Sequence, residues 1–167
     1  MSGHSKWSQI KHKKALTDKK KSQLFSRISK LITIAARNGI DPKSNSSLAQ
    51  AIETARSVNM PNDKIERAIK RVSEKEGAQL TELLIEALGP GNIPLRIKAI
   101  TDSGNRTISE VKKILSDHGA KMVQPGSISW MFNQSPTEIA RSNQQAIDKL
   151  FEALDDHDDV EDVISNL

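Results

Sequence analysis

Residues 83–99, with the sequence LLIEALGPGNIPLRIKA, separate a first half with helical periodicity from a second half in which strands begin. Apolar residues alternate with other residues on both sides of a Gly-Pro-Gly-Asn turn, which predicts a two-stranded hairpin. The turn could also be a phosphate-binding loop, but it lacks the Gly-Lys-Ser/Thr ending and joins strand to strand. The alternating positions are Leu83, Ile85 and Ala87 before the turn and Ile93, Leu95, Ile97 and Ala99 after it.

The second half continues as a mixture of helices and strands. Thr107-Ile108-Ser109-Glu110 matches a capping box and predicts a helix that ends near residue 119. A second helix is predicted around Ile147, Leu150 and Leu154. With the hairpin, these elements predict a small α/β sandwich, a ferredoxin-like type of sheet with two helices packed on one face. Further strands are predicted at residues 121–123, 128–132 and 160–164.

The first half predicts a bundle of three amphipathic helices, so the whole chain is predicted to be α+β, with domains at residues 1–78 and 79–167. Each helix is marked by a residue that can cap its start and by Gly or Pro near its end. The predicted caps are Thr17, Asn45 or Ser46, and Asn62, and the predicted ends are residue 38, residues 59–60 and about residue 76.

Positive charge is concentrated in the first domain. Residues 1–78 carry 17 Lys+Arg and 7 Asp+Glu, a net charge of +10, whereas residues 79–167 carry 8 and 14, a net charge of −6. The first 21 residues alone hold seven lysines and one acid. Such a segment could be a solvated tail that only aids solubility, or it could bind phosphates while Trp7 stacks on a base. We favour binding, because Trp7 and Ile10 have no role in a tail that only aids solubility.

The basic surface is expected to extend onto the first and third helices. Lys20, Arg27, Lys30 and Arg37 fall within an arc of about 100° on the first helix. This stripe could be an ordinary solvated face, but it continues the basic tail, and we interpret both as one electrostatic surface. On the third helix Lys64, Arg67 and Arg71 line the outer side, and Lys70 flanks them.

Composition excludes several classes of protein. Cysteine is absent, so disulfides, cysteine-based zinc sites and cysteine nucleophiles are excluded. The N-terminus has no apolar stretch typical of a secretion signal, and no apolar run could span a membrane. It is also rich in Lys rather than Arg, unlike a mitochondrial presequence. The absence of cysteine fits a reducing cytosol.

No group of residues predicts an active site. His4 and His12 lie in the basic tail with no carboxylates near them in sequence, and no Gly-x-Ser-x-Gly motif occurs. The acidic run Asp155, Asp156, Asp158 and Asp159 could hold Mg²⁺, but carboxylates at a helix end more often form a solvated turn. We expect no catalytic residue, no metal and no cofactor.

Several motifs resemble one known family, YebC/PmpR, which comprises probable bacterial transcriptional regulators and the mitochondrial translational activator of cytochrome c oxidase. The resemblance covers residues 2–133 and resumes at about 146–166. The motifs are Gly3-His4-Ser5-Lys6-Trp7, Ile10-Lys11-His12-Lys13-Lys14, Asn59-Met60-Pro61, Ile65-Glu66-Arg67-Ala68-Ile69-Lys70-Arg71, Gly89-Pro90-Gly91, Asn105-Arg106-Thr107 and Ser127-Ile128-Ser129-Trp130-Met131-Phe132.

The resemblance implies a helical N-terminal domain followed by α/β domains, in a cytoplasmic bacterial protein. It also implies binding to DNA as a regulator, or action on the ribosome in support of the synthesis of proline-rich stretches. It places the nucleic-acid-binding surface on Lys6, Trp7, Lys11, His12, Lys13, Lys14, Arg67, Lys70 and Arg71, and the charge pattern of the first helix adds Lys20 and Arg27.

The chain departs from the family pattern at two places. The family normally inserts a further α/β domain after the Trp-Met-Phe segment, where this chain has only a short polar linker at about residues 133–143. The family also tends to have glycine where this chain has Asn92.

Three functional hypotheses follow. The first is a non-enzymatic, DNA-binding regulator of transcription. The second is a translation factor that binds ribosomal RNA. The third is a metal-dependent nuclease built on the acidic run at residues 155–159. The expected partners are thus DNA, ribosomal RNA or both, with no membrane and no small-molecule substrate, and the sequence leaves the oligomeric state open.

Overall fold

The computed structural model describes residues 4–5 and 17–167 and divides them into two compact units. The helical unit contains residues 17–81 and 100–103. The sheet unit contains residues 4–5, 82–99 and 104–167. Each unit has its own hydrophobic core, built mainly of Leu, Ile, Val and Ala. The α+β class predicted from the sequence is confirmed.

The helical unit consists of three main helices, as their apolar periodicity predicts, and a fourth short one. The third helix is shorter than expected, because the chain tightens into a 3-10 turn at Arg71–Ser73. The helices are α1 at Asp18–Ala35, α2 at Ser46–Ser57, α3 at Asn62–Lys70 and α4 at Lys75–Ala78.

Asn45 joins α1 to α2 through three hydrogen bonds. Its Oδ1 accepts the N–H of Leu48 at 3.1 Å and so caps α2, as predicted. Its Nδ2 donates to the carbonyl oxygens of Ala35 at 2.7 Å and Gly39 at 2.8 Å. The side chain is buried, so these bonds satisfy backbone groups that water cannot reach.

The Asn59-Met60-Pro61 motif forms the connection from α2 to α3. Asn59 adopts a left-handed conformation with φ 60°, which asparagine tolerates better than most residues. The N–H of Met60 then bonds the carbonyl of Ala55 at 3.0 Å, and the Met60 side chain is buried in the helical core. Pro61 precedes the first residue of α3. The motif therefore has a structural role in this unit.

The sheet unit contains one sheet in the strand order β1-β5-β3-β2-β4. The pairs β1/β5, β3/β5 and β2/β4 are antiparallel. The predicted hairpin is confirmed as the two neighbouring strands β2 and β3. The strands are β1 at His4–Ser5, β2 at Thr81–Gly89, β3 at Ile93–Thr101, β4 at Lys121–Val123 and β5 at Val160–Ser165.

The hairpin turn explains the asparagine at position 92. Gly91 has φ 76° and Asn92 has φ 59°, and the N–H of Asn92 bonds the carbonyl of Gly89 at 3.0 Å. Gly91 and the residue after it thus adopt a left-handed backbone, which Gly populates freely and which Asn tolerates better than most other residues. The difference from the family pattern at this position leaves the turn intact.

The core of the sheet unit lies between one sheet face and two helices, α5 at Gly104–Asp117 and α6 at Arg141–Asp155. The two helices also contact each other. The alternation in the hairpin places five of its seven predicted apolar positions in this core, and the exceptions are Leu83 and Ala99. Buried members of the core are Ile85, Ala87, Ile93, Leu95, Ile97, Val111, Leu115, Ile147, Leu150, Phe151, Leu154, Val160 and Val163.

Three local predictions are wrong. Asn62 does not cap α3, because it is already the first residue of that helix and Pro61 occupies the cap position. Helix α5 begins at Gly104, three residues before the expected capping box. Thr107 is buried inside the helix, and its hydroxyl donates to Asp159 at 2.8 Å instead of capping the helix. Residues 128–132 are not a strand, because the chain forms a 3-10 helix at Ser129–Asn133.

An ion pair between the buried Glu86 and the half-buried Arg96, on the other sheet face, holds this 3-10 helix. Glu86 accepts a hydrogen bond from Arg96 Nε at 2.9 Å and one from the Gly126 N–H at 2.6 Å. Arg96 also donates to Ser129 Oγ at 2.9 Å, and its guanidinium lies 4.3 Å from the centroid of the Phe132 ring. These contacts replace the strand pairing that alternation alone predicts.

Asn166 holds the segment that follows. Its Nδ2 donates to the carbonyls of Met131 at 2.8 Å and Ser135 at 3.2 Å, and its own carbonyl accepts the Thr137 N–H at 2.7 Å. The connecting segment is residues 134–140, shorter than the predicted linker, because α6 already begins at Arg141.

Among the helices of the described residues, none is both long and apolar enough to cross a membrane.

Replacing Asn45 with Ala should lower the free energy of unfolding by about 2 kcal/mol, because it removes a helix cap and leaves two carbonyls without a donor. Urea unfolding followed by far-UV circular dichroism measures the change. The control is Asn38→Ala, at an exposed position that should change stability by less than about 0.5 kcal/mol. Equal effects of the two substitutions would contradict the role given to Asn45.

Candidate nucleic-acid interface

The predicted binding residues divide into two groups. Lys6, Trp7, Lys11, His12, Lys13 and Lys14 lie outside the residues that the structure describes. The other five predicted residues lie in the helical unit, where Lys20 and Arg27 belong to α1, Arg67 and Lys70 belong to α3, and Arg71 follows α3 directly.

The basic stripe predicted on α1 is wrong at Arg27. Only 4% of this residue is exposed, so it does not lie on the solvated face of the helix. Lys20 is half-buried, and its backbone N–H bonds the Thr17 hydroxyl at 3.3 Å, which confirms Thr17 as the N-cap. The charge pattern failed here because a helical wheel shows which residues share a face, not which face is covered.

Helix α3 presents its cations to solvent. Arg67 and Lys70 are exposed, and Arg71 is half-buried. Lys64, one turn earlier, is also exposed, and its ammonium lies 5.2 Å from the centroid of the Phe25 ring on α1. A cation over an aromatic face is attracted by the negative face of the ring, so this contact limits where the Lys64 side chain can go.

Thr33 fixes α3 against α1. Its buried hydroxyl lies 2.8 Å from the Ala68 carbonyl and 2.9 Å from the Ser29 carbonyl of its own helix, and shares its proton between them. Ala68 lies next to Arg67 in the chain. The bond therefore holds the basic side of α3 at a set place beside α1.

Arg37, which the sequence also placed on the basic stripe, has an internal role. Its guanidinium donates to the carbonyls of Gly77 at 2.6 Å and Leu80 at 2.5 Å. A Cβ on Gly77 would lie only 2.0 Å from the Arg71 carbonyl, so the turn that Arg37 binds also needs glycine. Arg37 thus holds the segment after α3.

The sheet unit contains a cluster of possible metal ligands that the sequence did not predict as a group. One ligand atom each from Glu110, His157 and Asp159 lies within 4.8 Å of the others. Asp159 was expected in a solvated acidic run, but it is buried. No local signal could reveal this, because Asp159 pairs with Arg106 at 2.9 Å and Thr107 at 2.8 Å, more than fifty residues earlier.

The hydrogen bonds of this cluster oppose metal binding. His157 Nδ1 accepts the N–H of Asp159 at 3.1 Å, so a neutral ring carries its proton on Nε2 and donates it to Glu110 at 2.8 Å. A histidine that binds a metal through Nε2 normally carries its proton on Nδ1 instead. The Arg106 guanidinium beside Asp159 adds a positive charge that repels a cation. The arrangement therefore fits a structural network, and it removes Asp159 from the candidate ligands of a nuclease.

The helical and sheet units both match known family models. Residues 5–75 match the TACO1/YebC protein N-terminal domain, and residues 80–137 match the TACO1/YebC second and third domain. The chain belongs to the TACO1/YebC family. This confirms the family resemblance that the motifs indicated.

Three relatives are named probable transcriptional regulatory proteins. The one from Petrotoga mobilis is 43% identical over 176 residues, which cover 99% of this chain and 70% of the relative. The one from Halothermothrix orenii is 44% identical over 160 residues, with 93% and 63% covered. The one from Solibacter usitatus is 49% identical over 150 residues, with 86% and 60% covered. The chain thus spans only 60% to 70% of the length of these TACO1/YebC relatives.

A solved structure has the same fold. The crystal structure of a conserved hypothetical protein from Aquifex aeolicus is similar to this chain with a TM-score of 0.85 and 29% sequence identity. The similarity covers 97% of this chain and 96% of the other.

Replacing Asp159 with Asn should lower the free energy of unfolding by about 2 kcal/mol, because the buried carboxylate loses its charge-assisted bond to Arg106. The exposed Asp156→Asn is the control and should change stability by less than about 0.5 kcal/mol. Addition of Zn²⁺ or Mn²⁺ at about 1 mM should leave the melting temperature of the wild-type protein unchanged, since a bound metal would raise it. A rise that disappears in Asp159→Asn would establish a metal site here.

Proposed function

We propose that this TACO1/YebC protein is a non-enzymatic regulator of transcription that binds DNA through the basic surface of its helical unit. The observation that carries the proposal is the exposure of Lys64, Arg67 and Lys70 along one short helix whose apolar side is buried. Cations held at fixed places on a rigid helix can neutralise successive phosphates and release their counterions. We propose that the protein acts in the cytoplasm, where bacterial DNA lies.

Two further facts support the proposal. Three relatives of similar sequence are named probable transcriptional regulatory proteins. In the sheet unit, the potential metal ligands Glu110, His157 and Asp159 bond one another or neighbouring side chains, which argues against the nuclease alternative. The lysines of the N-terminal segment and Trp7 are proposed to add to the same binding surface.

Replacing Arg67, Lys70 and Arg71 with Ala should weaken binding to duplex DNA and flatten its dependence on salt. If the whole protein contacts about six phosphates, its affinity should fall about a thousandfold between about 50 and 200 mM salt. The slope of log K against log salt should be smaller by about 2.7 in the triple variant, because three phosphate contacts are lost. Fluorescence anisotropy with a labelled duplex measures both quantities.

The matched control removes three exposed lysines from the sheet unit, Lys112, Lys121 and Lys149, so that the net charge changes equally. This control should keep the wild-type slope. An equal loss in both variants would mean that only net charge matters and would contradict the proposed surface.

Co-sedimentation with purified ribosomes tests the translational alternative. If ribosome binding survives moderate salt and is lost in the triple variant, while DNA binding is weak, the target is ribosomal RNA rather than DNA.

A further inference from the structure

Helices α1 and α3 pack against each other, and we call the line along which they meet the seam. The contacts that cross it include the cation–π contact between Phe25 and Lys64 and the hydrogen bond between the Thr33 hydroxyl and the Ala68 carbonyl. Both contacts use one side of α1. Ser26 lies seven residues before Thr33, so it lies on that same side nearly two turns earlier. Unlike Thr33, it is exposed.

The α1 side of this seam carries two short hydroxyl side chains followed by one basic side chain. Ser22, Ser26 and Lys30 follow one another at intervals of four residues, which places them in one row about 12 Å long. Ser22 and Ser26 are exposed, and Lys30 is half-buried. Short side chains allow another backbone to come close to the helix, and a hydroxyl can donate to a phosphate oxygen.

The α3 border of the seam is cationic. Lys64, Arg67 and Arg71 are spaced by three and four residues, so they form one row about 10 Å long. The Phe25 contact places the first of these cations directly beside α1. In a DNA duplex each strand advances about 3.4 Å along the helix axis per phosphate, so a row aligned with that axis covers about three phosphates of one strand.

From this geometry we infer that the seam between α1 and α3 binds the phosphodiester backbone of a single nucleic-acid strand, with the cations of α3 on one side and the hydroxyls of Ser22 and Ser26 on the other. The inference rests on the proposed function and specifies where on the helical unit the strand lies. It predicts contact to phosphates rather than to bases, so binding along the seam is independent of sequence.

The experiment places negative charge in the seam. Ser22→Glu/Ser26→Glu should weaken binding about tenfold or more at about 100 mM salt, because two carboxylates would face the phosphates. The control Ser46→Glu/Ser47→Glu adds the same charge to exposed positions at the start of α2 and should change affinity less than about twofold. Circular dichroism checks that both variants keep their helices. The probes are a labelled 20-nucleotide single strand of RNA and a 20-base-pair DNA duplex.

The outcomes separate this inference from the proposed function. Loss of binding to both probes supports the seam as a site for either kind of strand, and loss with one probe only supports it and identifies which nucleic acid it takes. If the seam variant binds both probes as the wild type does while the Arg67/Lys70/Arg71 variant loses binding, the seam inference is wrong and the proposed function stands. If that triple variant also binds normally, the proposed function fails first.

Discussion

The arrangement of the basic surface depends on one buried hydroxyl. Thr33 cannot solvate its O–H in the helical core, so it bonds the Ala68 carbonyl and its own helix at Ser29. A buried donor that loses its partner costs free energy, and this penalty holds α3 in one register against α1. Because Lys64 and Arg67 lie within one turn of Ala68, their positions follow from that register. Electrostatics alone would not fix them, since exposed cations repel one another and move freely in water.

The two units use their charges differently. In the helical unit, Arg67 and Lys70 are exposed, whereas Arg37 is bonded to backbone carbonyls. In the sheet unit, the buried carboxylates Glu86 and Asp159 are paired with arginines and backbone or hydroxyl donors. Net charge, which separates the two halves of the sequence, therefore overstates the acidity that the sheet unit shows to a partner, because its buried acids act inside the fold.

Local periodicity predicted those parts of the fold that depend on local patterns. The hairpin at β2 and β3, the caps at Thr17 and Asn45 and the helical faces follow from residues close in sequence, and the structure confirms them. Predictions failed where a distant partner decides. Thr107 bonds Asp159 instead of capping its helix. Residues 128–132 do not pair as a strand, because Glu86 and Arg96 hold this segment through hydrogen bonds. For the candidate site, charge spacing identified the cations of α3. It could not show that Arg27 is buried, and it could not identify the exposed serines of α1, because serine carries no charge.

The bonds of Asn166 have a consequence for how this family varies in length. They hold the chain at Met131, Ser135 and Thr137, all before residue 138, and α6 begins at Arg141. The match to the second-and-third-domain model also ends at residue 137. Extra sequence entering between residues 137 and 141 would leave every one of these bonds in place. A longer connection is thus compatible with the hydrogen bonds that Asn166 makes, and what an insertion would have to preserve is the packing of Ile139 against the core of the sheet unit.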